Sequence, residues 1–269
     1  MTRALKRLLV LLLGIALAFV ESCASRTEES EVVAALESQL LDWPGLSHYR
    51  DANAAVPSPA EDEARVVFFG DSITALWNSP KMPGAFFPGK PYLNRGISSQ
   101  TTPQMLIRFQ PDVIALKPRV VVILAGTNDI GSVTGPTSLQ AIEDNLTSMT
   151  LLARAYDIRV VLASVLPTHD TGRDEAGNRL LHSRNRPSEQ IKALNEWMKE
   201  LASQQGYVYL DYYSAMVDDR GDLRQDLSDD GIHPNSKGYA IMAPLAENAI
   251  AAAMEGKHAS KNEHSEPGI

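Results

Sequence analysis

Gly70-Asp71-Ser72 follows at once on the apolar run Val66 to Phe69, and Asp230 and His233 stand three residues apart in Asp-Gly-Ile-His-Pro near the other end. A hydroxyl, an imidazole and a carboxylate are the parts of a nucleophile, its general base and the group that orients the base. A tight turn with that spacing brings the carboxylate against one imidazole nitrogen and leaves the other free for Ser72. Such chemistry also needs donors for a developing oxyanion. The candidates are the backbone N–H of Ser72, the backbone N–H of Gly96 and the side-chain amide of Asn128. Each feature has a plainer reading. Ser72 fits a turn or helix cap. Gly96 ends a strand, Asn128 suits a turn, and Asp-Gly-Ile-His-Pro is good turn chemistry before a helix.

The elements that would carry these residues follow from hydrophobic patterning. Strands are expected at Val66 to Phe69, Pro91 to Gly96, Arg119 to Ala125, Arg159 to Ser164 and Tyr207 to Leu210. Apolar residues at helical spacing mark Gln104 to Leu116 (broken near Pro111), Ser138 to Tyr156, Ser188 to Gln205 and Ser236 to Met254. Strands alternating with helices specify one α/β domain with a parallel sheet and helices on both faces. Gly70, Gly96 and Gly126 all fall at the carboxyl ends of strands, where open α/β sheets bind ligands. Of the six histidines, only His233 lies between the last strand and the last helix, on the edge that holds Ser72.

FFGDSIT, NRGIS, GTND and DGIHP occur in that order, each at a predicted strand end or before the last helix. Together they resemble the SGNH/GDSL hydrolase superfamily, whose four named residues match Ser72, Gly96, Asn128 and His233, with Asp230 as the acid. Ile73 stands where leucine names the family. The resemblance covers about residues 65 to 250. It implies a three-layer, flavodoxin-like α/β/α sandwich with about five parallel strands. It also implies ester hydrolysis through a covalent acyl-enzyme on Ser72, with no metal and no cofactor. Gly70-x-Ser72-x-Thr74 is not the Gly-x-Ser-x-Gly elbow of α/β-hydrolases. Asp71 and Asp129 read as loop-holding residues, and Thr127 and Arg95 as residues behind the site.

The chain has 269 residues and a formal net charge of −8, which offers no basic footprint for nucleic acid. Cys23 is the single cysteine. Arg3, Lys6 and Arg7 precede the apolar run Leu8 to Val20, the form of a secretory signal. Val20-Glu21-Ser22-Cys23 resembles a bacterial lipobox, with Cys23 as the lipidated residue and Glu21 departing from the usual small residue. The expected organisation is a signal peptide at 1–22, a linker with a short helical segment at 23–64, the hydrolase domain at 65–255 and a disordered tail at 256–269. The expected location is outside the cytoplasm. It is a lipid-anchored envelope protein on this reading, and otherwise a periplasmic or secreted one. The residues carry no sign of oligomeric state.

Loops 78–90 (with Phe86, Phe87 and the adjacent Trp77) and 167–187 (with His169, Asp170, Arg173, Arg179, His182 and Arg184) are expected to set the substrate. The polarity of loop 167–187 favours a small-molecule or glycan acyl ester, such as an acetylated sugar or surface glycan. An acyltransferase using the same acyl-enzyme and a lysophospholipase or arylesterase stand as alternatives. A non-catalytic glycan-binding lipoprotein is the remote one.

Overall fold

The computed structural model describes residues 33, 40–77, 79, 86–170 and 181–256. The signal segment, Cys23, most of loop 78–85, residues 171–180 with Arg173 and Arg179, and the tail from residue 257 lie outside the described residues. By contacts the chain divides at Trp43, and the second unit, Pro44–Ile269, carries the fold.

Five strands form one parallel sheet: β1 Val66–Gly70, β2 Tyr92–Gly96, β3 Val120–Leu124, β4 Arg159–Ala163 and β5 Val208–Leu210. Their order is β2-β1-β3-β4-β5, the flavodoxin-like arrangement. The order reverses between β1 and its two neighbours, so the carboxyl end of β1 opens into a crevice. Gly70 pairs with Gly96 on one side and Leu124 on the other.

The helices are α1 Arg50–Ala54, α2 Ser72–Leu76, α3 Thr102–Asp112, α4 Thr127–Ile130, α5 Leu139–Ala155, α6 His182–Asn185, α7 Ser188–Gln205, α8 Tyr213–Met216 and α9 Ser236–Glu255. Strand alternation sorts the core into two layers. Val67, Phe69, Val121 and Ile123 face Phe109 of α3, Leu146 of α5 and Leu194 of α7. Val66, Phe68, Val120 and Val122 face Ile73 of α2 and Met242 and Ile250 of α9. These are the two outer layers of an α/β/α sandwich.

The helix expected over Gln104 to Leu116, with a break near Pro111, starts earlier and ends at Asp112, just past that proline. Thr101 and Gln104 form a capping box that sets the start at Thr102. Pro111 is tolerated in the last turn, and Ile114–Leu116 tightens to a 3₁₀ turn. Trp77, Phe86 and Phe87, of the loop expected to set the substrate, gather on Phe68, and Phe87 also meets Tyr92. Rings with centroids 5.0 Å from Phe68 bury more apolar surface there than they would at a polar rim.

Candidate active site

Ser72 opens α2 directly at the end of β1. Asp71 caps that helix, its Oδ1 accepting Ile73 N–H at 2.9 Å. α2 is also tied from two neighbouring elements. Tyr239 O–H donates to Ile73 O at 2.7 Å, and Asn94 Nδ2 donates to Thr74 O at 2.6 Å. The serine is therefore held by its own cap, by α9 and by β2.

His233 Nε2 lies 2.9 Å from Ser72 Oγ, and His233 Nδ1 lies 2.6 Å from Asp230 Oδ2. A carboxylate only accepts, so Nδ1 carries the hydrogen and Nε2 is left to accept from the serine hydroxyl. Asp230 Oδ1 accepts the backbone N–H groups of Ile232 at 2.9 Å and His233 at 2.8 Å. Burial pushes the Asp230 carboxyl up, but the hydrogen bonds from the His233 ring and these two amides outweigh it. The group is held well below the usual carboxylate range.

The loop carrying this pair is closed by a bridge between Ser228 and Pro234 and by Gly231 N–H donating to Ser228 Oγ at 2.9 Å. Gly231 has φ +91°, and a side chain there would put its Cβ 2.3 Å from His169 O. Glycine is thus required where the loop turns against residues 168–170. His169 is buried, its N–H donating to Gly231 O at 3.0 Å. His182 Nε2–H donates to Asp230 O at 3.0 Å. Both histidines buttress the loop from behind.

The three oxyanion candidates meet at this edge in different ways. Ser72 N–H belongs to the first turn of α2, outside the helix's own ladder. Asn128 Nδ2 gives one hydrogen to Gln100 O at 3.0 Å and has a second to give. Gly96 N–H donates to Asn94 Oδ1 at 2.9 Å, so any further acceptor shares it. Gly96 also has a packing reason to be glycine: a Cβ would lie 2.2 Å from Ala75 N of α2.

Other residues take up supporting places. Asp129 accepts Thr102 N–H at 2.9 Å and Thr102 Oγ–H at 2.6 Å, joining α4 to α3. Tyr49 O–H donates to Gly96 O at 2.5 Å, and Arg95 lies 4.8 Å over the Tyr49 ring. Thr127 contributes its carbonyl, which accepts Arg186 Nε–H at 3.1 Å. Two arginines were not legible as site residues. Arg186 Nη2 also approaches Asn128 Oδ1 at 3.4 Å. A guanidinium only donates, so it turns the oxygen of Asn128 toward itself and the amide hydrogens away. Fully buried Arg108 reaches Gly70 O at 2.9 Å and Arg95 O at 2.8 Å. Arg186 sits in a polar stretch and Arg108 on an amphipathic helix, and neither has a sequence signature.

A solved GDSL-like lipase from Bacteroides thetaiotaomicron is 36% identical, with a TM-score of 0.70 over 78% of this chain and 98% of that one. An acetylxylan esterase of Xylanibacter ruminicola is 29% identical over 73% of this chain and 45% of its own length. An isoamyl acetate-hydrolyzing esterase of Saccharomyces cerevisiae is 26% identical over 55% of this chain and 64% of its own length. The chain thus spans about half to two thirds of these two esterases. The family model for GDSL-like lipases and acylhydrolases matches residues 68–241, which run from β1 through the Asp230–His233 loop into α9, and the chain belongs to the GDSL-like lipase/acylhydrolase family.

Proposed function

We propose that this protein is a serine esterase that removes short acyl groups, acetyl above all, from hydroxylated substrates such as acetylated carbohydrates. The observation that carries the reading is the continuous relay from Asp230 Oδ2 through His233 to Ser72 Oγ, with contacts of 2.6 and 2.9 Å. Ser72 Oγ attacks the ester carbonyl while His233 Nε2 takes its proton. The oxyanion forms near Ser72 N–H, Asn128 Nδ2 and Gly96 N–H. The C–O bond to the alcohol breaks, and His233 returns the proton to that alcohol. Water, deprotonated by His233, then attacks the acyl-enzyme, releasing the acid and restoring Ser72.

Two features support the substrate class. The two curated relatives are named for acetate esters. A cavity of about 240 Å³ lies beside Arg186 and is lined by Thr168, Ser183, Tyr213 and Asp222, which offer hydrogen-bond partners to sugar hydroxyls. The test is a series of 4-nitrophenyl esters from acetate to palmitate, together with acetylated xylan, on wild type and Ser72→Ala. The expected result is turnover of acetate esters and acetate release from xylan, both lost in Ser72→Ala. An inert wild type or a fully active Ser72→Ala overturns the esterase reading. A preference for long chains overturns the substrate class.

The same reading puts the enzyme outside the cytoplasm, held to a membrane through lipid on Cys23. It rests on Val20-Glu21-Ser22-Cys23 after an apolar run. Cys23→Ser should move the protein from the membrane to the soluble fraction, and its retention there would disprove the anchor.

A further inference from the structure

We infer that Arg108 is the positioning residue that sets the spacing of the oxyanion donors, an inference that rests on the esterase reading of Ser72. Its side chain is fully buried, and its Cζ lies 4.1 Å from the centroid of the Phe69 ring. The guanidinium spreads its hydrogens over separate segments. Nη2–H donates to Gly70 O at 2.9 Å, two residues before Ser72. Nη1–H donates to Arg95 O at 2.8 Å, one residue before Gly96, and to Asp112 Oδ2 at 3.0 Å. Nε–H donates to Gln100 Oε1. Gln100 in turn offers its own carbonyl to Asn128 Nδ2 at 3.0 Å.

One rigid group thus touches two of the places from which the donors project and reaches the third through Gln100. The ends of β1 and β2 are fixed directly, and Asn128 is fixed through Gln100. The helix that carries Arg108 also grips the residue beside Asn128, since Thr102 at its start binds Asp129. Asp112, one turn along, neutralises the buried charge. Lysine cannot substitute here. Its ammonium is a point charge with three donors on one nitrogen, whereas these acceptors lie around the edge of a plane. An oxyanion hole depends on such fixed spacing, because its donors must meet the developing charge without reorganising.

The test combines kinetics on 4-nitrophenyl acetate with amide hydrogen exchange on the full chain. Arg108→Lys should lower kcat about 100-fold with KM within about twofold, the pattern of lost transition-state contacts. On an Asn128→Ala background the same change should cost only a few-fold further, because both act on one hole. Exchange should quicken at Ile97, whose N–H donates to Gly70 O at 3.0 Å, and stay unchanged in β4. Gln100→Met, which removes the acceptor of Arg108 Nε–H and the donor to Pro44 O but leaves the backbone carbonyl of residue 100 on Asn128 Nδ2, supplies the milder variant should Arg108→Lys not fold. It should lower kcat about tenfold. Unchanged kcat, multiplying losses in the double variant, or equal quickening in β4 overturns the inference. Absence of turnover by wild type sinks the esterase reading instead, and the exchange pattern still decides whether Arg108 fixes the strand ends.

Discussion

Asp230 meets His233 twice: Oδ2 lies 2.6 Å from the ring Nδ1, and Oδ1 accepts the backbone N–H of the same residue at 2.8 Å. The two oxygens are therefore not equivalent. In Asp230→Asn the single amide oxygen must stay with the Ile232 and His233 N–H donors, which places the NH₂ against Nδ1. Nδ1 must then accept, Nε2 carries the hydrogen, and the ring cannot take the Ser72 proton. We expect kcat to fall by about 10³- to 10⁴-fold with the fold retained, as measured by ester turnover beside circular dichroism. A loss of less than about tenfold would rule out the orienting role.

Gly96→Ala tests a different constraint. The added Cβ would sit 2.2 Å from Ala75 N and 2.8 Å from Asp71 O, both backbone atoms that cannot swing aside. α2 must shift, and Ser72 shifts with it. Overpacking of this kind costs about 1–3 kcal/mol in stability. A displacement near 1 Å at the nucleophile costs about 100-fold in rate. Unfolding in urea and kcat on acetate esters should both change. Wild-type turnover in Gly96→Ala would show that the close approach does not position Ser72.

Asp222→Ala separates the alcohol side of the substrate from the chemistry. Asp222 lines the cavity beside Arg186, and none of Ser72, Asp230 and His233 is among the residues lining it. Removal of one charge-assisted hydrogen bond to a sugar hydroxyl costs about 1.5–3 kcal/mol. KM for acetylated xylo-oligosaccharides should rise about tenfold or more, while kcat/KM for 4-nitrophenyl acetate stays within about twofold. Equal losses on both substrates would place the cavity outside substrate binding.

The fold was legible because β1 and β3 are apolar on both faces and the longer helices keep one apolar stripe. Ser72 and Asn128 stood out because each follows an apolar run that breaks into turn chemistry, Gly96 because it ends a short strand, and Asp230 and His233 because they sit three apart in a turn just before the last helix. What the sequence hid is what depends on long-range contact. Trp77, Phe86 and Phe87 look like loop aromatics until Phe68 is seen to gather them. Tyr49 lies in a stretch that reads as a spacer, yet its hydroxyl reaches Gly96 O. Asn94 gives no hint that its side chain binds the Gly96 amide. Arg108 looks like an ordinary polar position on an amphipathic helix, because its acceptors come from strands and loops that only folding brings near.

Asp71 gives the protein a pH dependence of definite sign. Burial raises its carboxyl to about 6, against the opposing hydrogen bond from Ile73 N–H and the nearby His233. Oδ2 has no hydrogen-bond partner among the described residues. The folded state thus holds the proton more tightly than the unfolded chain, where the carboxyl titrates near 3.8. Stability from this group is complete below that value and is lost as pH rises through about 6. The two-unit shift corresponds to about 3 kcal/mol at most. Asp71→Asn keeps the oxygen that caps Ile73 and removes the titration. The stability of Asp71→Asn relative to wild type should therefore grow between about pH 4 and 6 and level off above about pH 7, as read by urea unfolding across that range. A gap that stays constant with pH would show that the Asp71 carboxyl titrates alike in the folded and the unfolded chain, and would overturn the raised value.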